Sequence, residues 1–343
     1  MVVAVPWGRV DDRANFMKSM ESAMKTFLRI TIGVLACSAV WHAHAQNYPS
    51  KPVRLIASYA PGGATDVLAR LVAADLSKTL GGTVIVENRA GAGGRIGTRV
   101  CTAAPNDGYT LCMVSPAQAI APTLFKDAGY TLNDFTYIGQ VAKVPNLLLV
   151  HPSLPVKSVS DLITLARKNP GGLNYASSGG GSSAQLAMEL LKQQANIDIV
   201  LITYKGTGAA VTDQVAGRVE VAFNAAVGVV PFVNSGKLRL IAVSTLDRFP
   251  MFPKAPTLDE SGVKGFEGSS WQGLTAPAGV PPAIVSRINK DLVAILQTPA
   301  MRERVLDLGG VVAPGTPAQF DAFFKAEAAK WSGVATKAGL LKN

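Results

Sequence analysis

The stretch "YAPGGATD", Tyr59 to Asp66, is echoed by "YASSGGGSS", Tyr175 to Ser183, in the other half of the chain. Each reads as the end of a strand, a glycine turn and the start of a fresh helix. This repeat restricts the fold more than any other feature. Turns of this kind sit beyond the carboxyl ends of the strands in open α/β sheets, which is where such sheets bind ligands. Two lobes facing each other make a clamshell with one such turn in each jaw.

The surrounding pattern agrees. "KPVRLIASYA" reads as a strand, and "TDVLARLVAADLSKTL" places Leu68, Leu71, Val72, Leu76 and Leu80 on one helical face. Gly81 and Gly82 stop that helix. "TVIVEN" is the next strand, "RAGAGGRIG" opens a second helix, "APNDGY" is a turn and "YTLCMVS" a further strand. Strand and helix alternate, as in a parallel sheet covered by helices. "FTYIGQVAKVPNLLLVHPSLP" then reads as one long extended stretch closed by prolines. A helix follows at "SVSDLITLARKN", and "LNYASSGGGSSAQLAMELLKQQ" repeats strand, glycine turn and helix. "DIVLITYKG", "VEVAFNAA" and "KLRLIAVS" are three more strands, "PTLDESG" and "WQGLTAPAG" a Pro/Gly-rich return, and the end of the chain is helical. The length, 343 residues, suits about two domains.

The N-terminus reads as an export signal. In "MKTFLRITIGVLACSAVWHAHAQ", Lys25 and Arg29 flank the start of an apolar run, and "AHA" at Ala43–Ala45 is a small-x-small cleavage site. The run is shorter than the roughly 20 apolar residues of a membrane span. Residues 1–23 are an unusual leader with Asp11, Asp12 and Glu21, so Met24 is read as the start, and "VLAC" leaves a lipid-anchored form as a minor alternative. Cleavage after Ala45 leaves 28 Lys/Arg against 20 Asp/Glu, one histidine (His151) and two cysteines (Cys101 and Cys112). No Lys/Arg run exceeds two residues, which argues against a nucleic-acid stripe and for a solvated surface with a mild attraction for anions. Cys101 and Cys112 read either as a disulfide in an oxidising compartment or as two buried thiols.

Catalytic motifs are missing. "GAGGRIG" has Gly91 and Gly93, but Ile96 stands where a dinucleotide loop needs its third glycine. There is no Walker loop and no G-x-S-x-G elbow. With one histidine and no HExxH, metal hydrolysis and a His-activated nucleophile are disfavoured, and His151 reads as structural. That leaves the loops. Gly62 and Gly63 let the backbone approach a ligand, and the first-turn N–H groups of the next helix form an anion site. Asp66 reads either as a first-turn acid favouring the helix dipole or as a group ordering a water or ligand hydroxyl. Ser182 and Ser183 read as N-caps or ligand donors, Lys205 as a solvated charge or a ligand contact, and Trp271 as core or cleft wall.

The motifs "YPSKPVRLI", "PGGATDVLAR", "VENRAGAGGRIG", "DGYTL", "YKGTGAAVTD", "GKLRLIAVS", "PTLDESG" and "LTAPAGVP", in this order, resemble those of the Bug-type receptors, the periplasmic solute-binding proteins of tripartite tricarboxylate transporters. The resemblance implies an α/β, type II periplasmic-binding fold: two lobes, each with a central sheet flanked by helices, and a ligand cleft between them. Residues 1–45 are then an extension and signal peptide, 46–148 the first part of lobe 1, 149–268 lobe 2, and 269–343 a return to lobe 1. It implies a small mono- or dicarboxylate ligand held largely by backbone amides and waters, membrane transporter subunits as partners, a periplasmic location and no cofactor. A monomer that neither binds nucleic acid nor catalyses a reaction is expected. The gripping residues on one jaw are Pro61, Gly62, Gly63, Ala64, Thr65 and Asp66. On the other they are Ser177, Ser178, Gly179, Gly180, Gly181, Ser182 and Ser183, with Tyr204, Gly206, Thr207 and Asn224 lining the wall, while Ser115 and Pro116 flank the cleft. Many relatives have histidine where this chain has Gln185 and aspartate where it has Asn224. An acid at the latter position suits a ligand ammonium, so a ligand without an amino group is expected. Two other classes stay open: a sensor presenting the same clamshell to a signalling partner, and an enzyme acting on an anionic substrate at the same loops.

Overall fold

A computed structural model describes residues 48–341 except 63, 178–180 and 205–206. The signal peptide and its cleavage site lie outside the described residues, as do Gly63, Ser178, Gly179, Gly180, Lys205 and Gly206. The chain divides into Met1–Ser50 and Lys51–Asn343, and the second unit is described here. Its elements run β1 (Val53–Ala57), α1 (Ala64–Leu80), β2 (Val84–Asn88), a 3-10 turn (Ala92–Gly94), α2 (Arg95–Thr102), β3 (Thr110–Val114), α3 (Pro116–Leu124), β4 (Phe135–Val144) and β5 (Asn146–Val150). Next come α4 (Val159–Lys168), β6 (Asn174–Ser177), α5 (Ser183–Ala195), β7 (Val200–Thr203), α6 (Thr207–Val215), β8 (Val221–Ala225), α7 (Val230–Asn234) and β9 (Arg239–Val243). The last are β10 (Ser270–Pro277), α8 (Pro282–Gln297), α9 (Pro299–Asp307), β11 (Val311–Val312) and α10 (Pro317–Lys337).

Two mixed sheets result. One has the order β11-β4-β10-β3-β1-β2 and the other β7-β6-β8-β5-β9. β1 runs parallel to β2 and β3, and β6 parallel to β7 and β8, so each sheet keeps the parallel βαβ units read from the sequence. β10 and β5 are the antiparallel insertions, β10 between β3 and β4, and β5 between β8 and β9.

The long extended stretch is two strands in two sheets. Pro145 separates β4 from β5, and a proline has no N–H to continue a ladder. Likewise, "WQGLTAP" is a strand rather than an irregular return. Trp271 is buried there, its ring 5.3 Å from that of Phe324 and 5.4 Å from that of Phe323. This resolves the Trp271 alternatives in favour of core. Its Nε1 donates to Glu327 Oε2 at 2.9 Å, and Trp331 Nε1 donates to the same oxygen at 2.8 Å. The two crossings between the sheets are stapled together. Asn146 N donates to Ser244 Oγ (2.9 Å), Ser244 N to Asn146 O (3.0 Å), and Asn146 Nδ2 to Gly268 O (2.7 Å).

Helix α1 buries Leu68, Val72, Leu76 and Leu80, as its periodicity requires, but Leu71 is half-buried and Ala69 and Ala73 are buried beside the stripe. The Cys101–Cys112 disulfide is formed, joining α2 to β3 across a Cα separation of 6.1 Å. An apolar cluster of Ile120 and Leu124 from α3, Leu186 from α5, and Trp331, Val334 and Ala335 from α10 joins helices of both sheets.

Candidate ligand-binding loops

The first loop follows β1. Pro61 and Gly62 are exposed, and Gly62 has φ +84°, a left-handed conformation that favours glycine. Its N–H is not bare: it donates to Asp66 Oδ2 at 2.9 Å. Asp66 is buried, and its Oδ1 accepts from Asn88 Nδ2 at 2.8 Å, while the Arg70 guanidinium reaches both carboxylate oxygens. Asn88 Nδ2 also donates to Tyr59 O at 3.0 Å, closing the network around the bend. Burial pushes the Asp66 carboxyl up, but Arg70, the Gly62 N–H and Asn88 together hold it below its ordinary value. Asp66 therefore does something neither sequence reading foresaw, fixing the shape of its own loop. Thr65 is buried, its hydroxyl donating to Gln272 Oε1 on β10 at 3.2 Å; Ala64 is the first residue of α1.

The second loop follows β6 and has the same construction. Gly181 has φ +82° and donates its N–H to Gln185 Oε1, four residues on, at 3.0 Å. Ser182 is the N-cap of α5, its Oγ accepting from Gln185 N at 3.3 Å and lying 3.2 Å from Ser177 Oγ. Ser183 is the first helical residue. A carboxylate closes the bend in one lobe and a neutral amide in the other.

Ser115 caps α3, with its N–H and hydroxyl both donating to Gln118 Oε1, and Pro116 is the first helical residue. Tyr59, beside the first loop, has its hydroxyl 3.3 Å from Ser115 Oγ and 3.4 Å from Gln118 Nε2. At the other end of α3, a Cβ added to Gly181 would lie 2.9 Å from Leu124 Cδ1. One nine-residue helix, about 14 Å long, thus touches Tyr59 at its start and the second glycine bend at its end. Tyr204, half-buried, turns its hydroxyl to Asp213 Oδ2 at 3.0 Å, and Thr207 is exposed at the start of α6. Asn224 is buried near the end of β8 and donates from Nδ2 to Gln214 Oε1. His151 packs away from these loops, with Nδ1 2.7 Å from Ser153 Oγ.

The residues that sequence reasoning missed are Asn88, Gln118, Gln214 and Gln272, all amide side chains that hold loop residues or their neighbours. Among the described residues, no group of three or more His, Cys, Asp or Glu is placed to hold a metal ion, and no helix is long and apolar enough to cross a membrane. A separate cavity of about 700 Å³, lined by Leu240, Met251 and Phe252 among others, contains none of the loop residues.

Two sheets with matched glycine bends ahead of helix N-termini define a two-lobed periplasmic-binding fold. The comparisons with known proteins agree. Residues 68–340 match the tripartite tricarboxylate transporter family receptor. Protein BugT of Bordetella pertussis is 35% identical over 319 residues, covering 92% of this chain and 98% of BugT. Among solved structures, the R. palustris protein Rpa4515 with adipate is 36% identical with a TM-score of 0.77, over 85% of this chain and 98% of that one. Periplasmic binding protein BugD is 35% identical with a TM-score of 0.74, over 86% of this chain and 100% of that one. MatC from Rhodopseudomonas palustris with bound malate is 31% identical with a TM-score of 0.73, over 84% and 99%. The chain belongs to the tripartite tricarboxylate transporter receptor family, a family of solute-binding receptors.

Proposed function

We propose that this chain captures a small mono- or dicarboxylate in the cleft between its lobes and presents it to the membrane subunits of a tripartite transporter. The observation that carries the reading is the matched pair of bends at Gly62 and Gly181, each ahead of a helix N-terminus. Helix N-termini carry about half a positive charge, which suits a carboxylate without a lysine or arginine clamp. Adipate and malate in the related structures support an organic acid. Residues 61–66 of one jaw and 177–183 of the other grip the acid, with Tyr204, Gly206, Thr207 and Asn224 lining the wall and Ser115 and Pro116 flanking it. Closure excludes water and strengthens each polar contact. The chain holds its ligand without transforming it, acts as a monomer, and reaches the periplasm after cleavage behind Ala45.

A thermal-shift screen of the mature protein across mono-, di- and tricarboxylates tests this. A bound acid raises apparent stability with its concentration over Kd. A melting temperature unmoved by every small mono- and dicarboxylate overturns the reading. Within a binding series, malate or succinate is expected to bind more tightly than aspartate or glutamate. The reverse order in calorimetry removes the expectation of a ligand without an amino group.

A further inference from the structure

Asn224 is 5% exposed and sits next to the last residue of β8, the central strand of the second sheet. β6 and β8 pair at Tyr175↔Val221, a parallel register that carries Ser177, the last residue before the second glycine loop, alongside Phe223. Side chains alternate along a strand. Phe223 stacks on Phe266 in the core, and Asn224 points to the other face, toward α6.

There a chain of amides fixes which end of Asn224 is engaged. The β5–β9 register shifts between Leu148 and Leu149, and the Leu149 carbonyl accepts from Gln214 Nε2 at 3.0 Å. A backbone carbonyl can only accept, so the fully buried Gln214 must turn its NH₂ there and its Oε1 away. That oxygen accepts from Asn224 Nδ2 at 3.1 Å. Asn224 must therefore give its NH₂ to Gln214 and turn its own oxygen away from that side chain. Among the described residues no donor reaches Asn224 Oδ1.

We propose that Asn224 is a specificity-determining residue, presenting a fixed carbonyl oxygen to the ligand and selecting an organic acid that carries a hydroxyl group. The inference rests on the receptor reading above. On closure a ligand hydroxyl donates to Oδ1. A methylene at that point strips the oxygen of water and returns nothing. An ammonium can donate but meets no countercharge on a neutral amide, so amino acids rank last.

Calorimetry on the mature protein with two matched pairs tests it: malate against succinate, and lactate against propionate. The hydroxy acid of any pair that binds is expected to be favoured by about tenfold or more, the effect of one hydrogen bond made or left unmade. Asn224→Leu removes the acceptor and should bring the pair within about twofold. Gln214→Leu leaves Asn224 free to turn and should shrink the preference in the same direction, which keeps the test open should Asn224→Leu fold poorly. Equal affinities within the pairs for the wild type, or a preference that survives in both variants, overturn the proposal and leave the receptor reading standing. Binding of none of the four acids, nor of any other carboxylate, overturns both.

Discussion

Gly62 gives its N–H to the carboxylate of Asp66, four residues further on, at 2.9 Å. The first bend is thereby set before any ligand arrives. The sequence reading left the backbone amides of the bends to the ligand; instead, an acceptor from the following helix engages one glycine in each loop. Pre-organisation of this kind reduces the ordering cost of binding.

Removing the acceptor should loosen the loop. Asp66→Ala leaves Gly62, Asn88 and Arg70 without their common partner, and a loss of about 1–3 kcal/mol is expected in urea unfolding. The pH dependence follows from the lowered pKa of Asp66. A carboxyl held below its ordinary value of 3.8 contributes stability above that value and loses it as pH falls through the lower folded value. The gap between wild type and Asp66→Ala should thus stay constant from pH 7 to about pH 5 and shrink in stronger acid. A gap that widens on acidification would contradict the ion-pair network.

The two bends should respond differently to a methyl group. Gly62 and Gly181 both have positive φ, and an alanine in that region costs about 1–2 kcal/mol. At Gly62 the new Cβ meets nothing within 4 Å, whereas at Gly181 it meets Leu124 Cδ1 at 2.9 Å. Gly181→Ala should therefore be the more destabilising. Adding Leu124→Ala should recover part of the difference, with a coupling of about 0.5–3 kcal/mol in a double-mutant cycle. Additive losses would place Leu124 out of contact with the bend.

Reduction of the Cys101–Cys112 bond, whose cysteines are 11 residues apart, should lower stability by about 3 kcal/mol on the chain-entropy account. Both cysteines are fully buried, so reduction at neutral pH should be slow until the protein is partly unfolded. Denaturant midpoints with and without reductant measure the first effect, and thiol labelling against denaturant the second.

Glu327 is the shared acceptor of two buried indoles. Glu327→Leu leaves both N–H groups unpaired and should cost about 2–6 kcal/mol, at 1–3 for each. Glu327→Gln keeps a carbonyl oxygen for them and should cost markedly less. Equal losses for the two would mean that packing rather than hydrogen bonding fixes the tryptophans.

Much of the scaffold could be read from the chain because hydrophobic periodicity and glycine turns are local signals. The strand–turn–helix units at residues 53–80 and 174–195 and the three C-terminal helices are of this kind. Two elements were not legible, for different reasons. Pro145 lies inside a run of strand-forming residues, and nothing local says that the chain changes sheets there. Strand β10 contains Gln272 and Gly273, poor strand formers that only its central place between β3 and β4 explains. At the loops, the glycines stood out because few other residues make such turns. Their supports did not. Asn88, Gln118, Gln214 and Gln272 look like surface residues by composition, and only the burial of the three glutamines and the bonds of the half-buried Asn88 show that they are structural polar groups.

The shared carboxylate of Glu327 has a practical side. Of the four tryptophans in the chain, Trp7 and Trp41 precede the expected cleavage point, and cleavage there would leave Trp271 and Trp331 alone. Both indoles lean on a single oxygen, one from the strand that re-enters the first sheet and one from the last helix. Excitation of tryptophan beyond the absorption band of the tyrosines then reports on that junction, a built-in optical gauge of whether the two remain seated together.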